Sequence, residues 1–181
     1  MTIFDHSFSL IALILGLALV EVLSSFVRAL RDRHATPIGW LTPMLAVFVI
    51  GDITTYWGIL WEVRLLLPSV WPTLGLGVFL SSIYYAAASL VFPAREADWE
   101  NLDAYFMRIK RVVFGLILSC FMMVLAAEIA VGRSFDPTTV IEDAAYIFFL
   151  IFTALAPWKS ANILGLLGLN AVLAFSFFLP G

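Results

Sequence analysis

Three carboxylates lie inside long apolar runs of this chain: Glu21, Asp52 and Glu128. A charge at the centre of a bilayer costs about 2.5–3.5 kcal/mol on insertion scales, so each needs a physical reason to be there. Chemistry is one such reason. A carboxyl withdrawn from water favours its neutral form, which suits it to take up and release a proton. Carboxylates that share a polar path can also hold a cation. Tyr56 lies one helical turn beyond Asp52 and extends that path with a hydroxyl. The four residues therefore read as an ion or proton route. Pairing is the structural alternative. Glu21 is two turns from Arg28, Asp52 and Arg64 lie toward the same side, and Glu128 is close enough to its helix end to be hydrated.

Other chemistries find little support. His6 and His34 fall on opposite sides of the membrane map below, which argues against a bis-histidine haem in one chain. Cys120 is the only cysteine, so neither a disulfide nor a dithiol site can form within the chain. It reads as a small buried hydrophobe. Histidine and carboxylate residues do not recur at metal-ligand spacing, and the phosphate-binding GxxxxGK pattern is missing. No serine lies beside a histidine to form a nucleophile–base pair. The expectation is a protein without cofactor or metal. An enzyme acting on lipid or quinone is the weakest reading, because no second catalytic group stands near any of the three carboxylates.

Apolar runs near residues 8–29, 38–61, 70–92, 112–131, 138–158 and 161–179 must position these groups. Hydrophobic residues make up 62% of the chain and charged residues 13%. Soluble domains average roughly 45–50% and about 25%. About 20 apolar residues span the hydrocarbon core as a helix. The chain thus reads as an all-α membrane protein, a single domain over residues 1–181 with six transmembrane helices. The first run carries Glu21 and has no basic residue before it, so it reads as a span and not as a cleaved leader.

Charge orients the bundle. With the N-terminus outside, one face receives Arg28, Arg31, Arg33, Arg95, Arg108, Lys110, Arg111 and Lys159, and the other only Arg64 and Arg133. Cytoplasmic loops carry the excess of Lys and Arg, so both termini are expected outside. Tryptophans agree: Trp40, Trp99 and Trp158 fall on the inner side, and Trp57, Trp61 and Trp71 on the outer. The short chain without glycosylation sequons points to a bacterial inner membrane. The outer face also holds Asp5, Asp52, Glu62, Glu128, Asp136, Glu142 and Asp143, an acidic bias that would concentrate cations if concave.

Local signals refine the map. Thr36-Pro37 reads as a cap and first helical position for span two, and Asp136-Pro137 as the same for span five. Ser81, Tyr85 and Ser89 recur at four-residue steps in span three. In the longest connection, Trp99, Leu102, Tyr105, Phe106 and Ile109 share a helical face. That pattern predicts an amphipathic cytoplasmic surface helix running into span four, with Trp99, Tyr105 and Phe106 against lipid or the bundle.

Two functional readings follow. One is proton- or cation-linked permeation through the bundle. The other is a non-catalytic accessory or assembly subunit, as a homo-oligomer or within a larger membrane complex. The expected partners are the lipid bilayer and a proton or cation. Nucleic acid is not expected, because no extramembrane domain is present to bind it.

Overall fold

A computed structural model describes residues 3–34, 36–63, 70–94, 99–130, 132–133 and 136–178. They form six helices and, among the described residues, no strand: α1 Ile3–Asp32, α2 Leu41–Val63, α3 Val70–Ser89, α4 Leu102–Ala130, α5 Pro137–Leu155 and α6 Lys159–Phe178. Five of them (all but α3) are long and apolar enough to cross a membrane. The apolar stretch of α3, Leu74–Ser89, is shorter.

Helix α2 is the hub. It packs against α1, α3, α4 and α6, while α1 lies along α3, α4 bridges α3 and α5, and α5 pairs with α6. Helical periodicity builds these contacts. On α1 the buried residues are Ile11, Leu15, Ala18, Val22, Ser25 and Ala29, a stripe at three- and four-residue steps. Gly77 lets α3 approach that stripe, since a Cβ there would run into the Ile11 side chain. Outward faces are strongly apolar: Leu13, Leu17, Val20, Ile129, Ile141 and Leu164 are all more than half exposed. Such faces suit hydrocarbon and would be a liability in water.

Local signals and tertiary structure part company at the start of α2. The helix begins at Leu41 and not at Pro37. Thr36 is buried, and Gly39 adopts φ +69, a left-handed turn that stops the helix from starting earlier. The cap comes from another helix. Leu41 N donates to Asp103 Oδ1 at 3.1 Å, Leu102 N donates to Pro37 O at 3.1 Å, and the Thr42 hydroxyl donates to Leu102 O at 2.9 Å. Span five starts as its sequence implies, with Asp136 accepting from Thr139 N and proline in the first turn.

Residues 102–111 also depart from the expected surface helix. They are the first turns of α4 itself, which runs unbroken to Ala130. Asn101 caps it, its side chain accepting from Ala104 N at 2.8 Å, and no proline follows to interrupt it. Leu102, Tyr105 and Phe106 are buried in the bundle end. Trp99 precedes the helix and meets Tyr105 edge-on at 5.0 Å, with Arg108 over its ring at 5.7 Å. Asp103 caps α2 and pairs with Lys159 of α6 at 3.7 Å.

Candidate functional site

Asp52 is the middle residue of α2, and it is 5% exposed. Four helices meet around it. Tyr56 lies one turn along α2 on the same face, Ser81 and Tyr84 come from α3, Cys120 from α4 and Tyr146 from α5, and all of these are buried. The Tyr146 hydroxyl donates to Asp52 Oδ1 at 2.6 Å. Phe48 and Phe121 hold the Tyr146 ring, with centroids 6.1 and 4.9 Å away. Tyr84 stands beside the carboxyl and stacks on Tyr56 at 4.9 Å. Ser81 donates to Gly77 O at 2.7 Å and lies beside the Tyr56 hydroxyl. Cys120 Sγ points at Leu80 O, 3.7 Å away.

Two atoms in this group lack a well-formed hydrogen bond. Asp52 Oδ2 and the Tyr56 hydroxyl are buried and make no bond of good geometry, although Tyr84 stands against the Asp52 carboxyl and Ser81 against the Tyr56 hydroxyl. Buried polar atoms are nearly always bonded, so each exception calls for an explanation. Here both fall on one face of one helix, at the centre of the bundle. The arrangement can hold a proton on Oδ2.

The other carboxylates stand apart. Among the described residues, Glu21 bonds only along α1. Ser25 donates to its Oε1 at 3.3 Å, Arg28 donates to Ser25 Oγ at 2.6 Å, and Arg28 faces Glu21 at 3.9 Å. This ladder sits at the bundle surface, the Glu21 side chain 35% and the Arg28 side chain 60% exposed. Glu128 pairs with Arg133 just past the end of α4, and it senses Asp143 of α5. Arg64, the sequence-level partner for Asp52, lies outside the described residues. The three carboxylates thus occupy three separate settings, and Tyr56 alone of the singled-out residues joins Asp52.

Sequence reasoning missed Tyr84, Tyr146, Ser81 as a neighbour of Tyr56, and Cys120. The polar face of α3 is one residue off the Ser81–Tyr85–Ser89 pattern: Tyr85 and Ser89 are exposed, and Ser81, Tyr84 and Ala88 are buried. It also missed Lys110, which is 3% exposed. Its ammonium donates to Thr153 O at 3.0 Å, to Ala156 O, and to Asn162 Oδ1 at 2.7 Å. A signal was present. Phe106, Lys110, Val113, Phe114 and Ile117 recur at helical steps and are all buried, so Lys110 belongs to the inward face of α4.

No family model, curated protein or solved structure shows a significant match to this chain.

Proposed function

We propose that this chain is a six-span inner-membrane protein with both termini outside, which passes a proton or cation through the bundle at Asp52. The crossing reading rests on five spanning-length helices, the lopsided distribution of Lys and Arg, and exposed Trp40 and Trp158 at one end with Trp61 at the other. In this reading α3 makes the sixth crossing. The permeation reading rests on one observation: Asp52 Oδ2 and the Tyr56 hydroxyl are buried at mid-bundle without a well-formed hydrogen bond. An ionisable group inside a membrane is by default a functional one. Asp52 is the binding group, Tyr146 fixes its orientation, and Tyr56 and Tyr84 line the step beside it. Glu21 and Glu128, each already paired, serve as flanking groups toward the two ends.

Flux into liposomes holding the pure protein tests this. Wild type is expected to move protons or a monovalent cation down an imposed gradient, and Asp52→Asn to abolish the flux while the protein still inserts and folds. Equal flux in the two proteins would overturn the assignment of Asp52.

The accessory-subunit reading keeps one observation of its own. Arg28 and the partly exposed Glu21 flank buried Ser25 at the edge of α1, where a partner helix would shield the pair better than lipid. Wild-type protein without flux would favour this second reading, provided position 24 resists cysteine labelling in native membranes but not after purification.

A further inference from the structure

The groups around Asp52 discriminate between the two species that the permeation reading leaves open. The titratable groups facing it are Tyr56 on its own helix, Tyr84 on α3, Cys120 on α4 and Tyr146 on α5. All are neutral acids near pH 7. Among the described residues no lysine or arginine pairs with Asp52, and α1 and α6, which also pack on α2, bring no titratable group to it. An ionised Asp52 would then hold a full charge against two phenols alone, the bonded Tyr146 and the adjacent Tyr84.

A metal cation needs more than the site offers. Hard cations take six or more oxygen ligands, many of them carboxylates and carbonyls. Membrane carriers supply carbonyls by unwinding helices at the site. Here α2 and α3 run as unbroken helix through Asp52 and Ser81, so their carbonyls stay in the helix ladders. A proton needs only what is present. Protonated at Oδ2, Asp52 sheds a charge that no cation of the described residues offsets and keeps its bond from Tyr146.

We infer that the ligand of this site is a proton carried on Asp52 Oδ2. On release, an entering water takes the proton of Asp52 and leaves as hydronium, and the carboxylate stays behind. Charge and atoms balance, and Asp52 is left ready to be reprotonated. The physiological meaning rests on the permeation reading, but the protonation state does not.

Infrared spectroscopy of the purified protein reads that state directly. Wild type at pH 7 is expected to show the carbonyl stretch of a protonated, buried carboxylic acid. The band should shift on carbon-13 labelling of aspartate, vanish in Asp52→Asn, and ignore added sodium, potassium or calcium. A missing band at pH 7, or its loss on adding any of those cations, would overturn the proton assignment. The aspartate label carries the test even if Asp52→Asn does not fold. A protein with the band but without flux would refute permeation and leave the proton site standing.

Discussion

Two buried polar centres divide this bundle, and they are built on opposite plans. At the end where α4 begins, Lys110 meets three acceptors, matching its three donors. Two are carbonyls at the C-terminal end of α5, groups that a helix end leaves unsatisfied and that a cation complements. Asn162 closes the ring by donating to Ala156 O at 3.0 Å and Trp158 O at 2.7 Å. Tyr105 donates to Leu90 O at 2.9 Å, tying down the end of α3. Four helices are fastened there with every bond filled on Lys110. At mid-bundle, Asp52 has one bond and one oxygen without a well-formed bond. A saturated charge fastens helices together, whereas an unsaturated one is left available for something that comes and goes.

The largest expected effect breaks the saturated centre. Lys110→Met keeps the apolar stem but strands Thr153 O and Asn162 Oδ1 and leaves Ala156 O only its bond from Asn162. Each bond to a charged donor contributes about 1.5–3 kcal/mol and stranded acceptors add to the loss, so we expect on the order of 3 kcal/mol or more, read as a lowered midpoint of thermal unfolding in detergent. Next comes the loop that Asp103 secures. Gly39→Ala places a Cβ against the Asp103 carboxylate in a left-handed turn, and should cost about 1–2 kcal/mol from the backbone alone by the same measurement. A neutral result in either would mean that this end is looser than the described contacts imply.

The smallest effect lies outside both centres. Hydrogen bonds from the hydroxyls of Thr138 and Thr139, with Thr139 N, hold Asp136 at a pKa of about 2, below its ordinary 3.8. A depressed carboxyl stabilises the folded form above its unfolded pKa, and that contribution fades as pH falls from about 4 to about 2. Hydrogen exchange at Thr139 and Val140 should therefore quicken across that window. In Asp136→Ala it should already be fast and insensitive to pH there, while exchange in α4 stays unchanged.

Much of the framework was legible in the sequence. Apolar runs placed the helices and the Asp136-Pro137 cap placed the start of α5, because periodicity and backbone restriction act locally. Asp52 stood out because a charge in an apolar run is rare, and Tyr56 followed from its four-residue spacing. Tyr84 and Tyr146 did not, since a phenol in an apolar run is unremarkable until packing brings its hydroxyl to a carboxyl. Lys110 was hidden by its neighbours: between Arg108 and Arg111 it reads as one more cytoplasmic cation, and only its register with Phe106 and Phe114 sets it apart. The cap of α2 was misread for a related reason. Thr36-Pro37 is a sound local signal, but Asp103 arrives from 62 residues away and takes the role.

The contrast between the two centres is tested most directly by the thermal stability of Asp52→Asn beside wild type and Lys110→Met. A group kept for function is dispensable to folding, and replacing an incompletely satisfied buried acid by a neutral isostere is neutral or stabilising. We expect Asp52→Asn to melt at or above the wild-type temperature, while Lys110→Met melts well below it. A loss in Asp52→Asn as large as that in Lys110→Met would make Asp52 a structural fastening and would contradict the account.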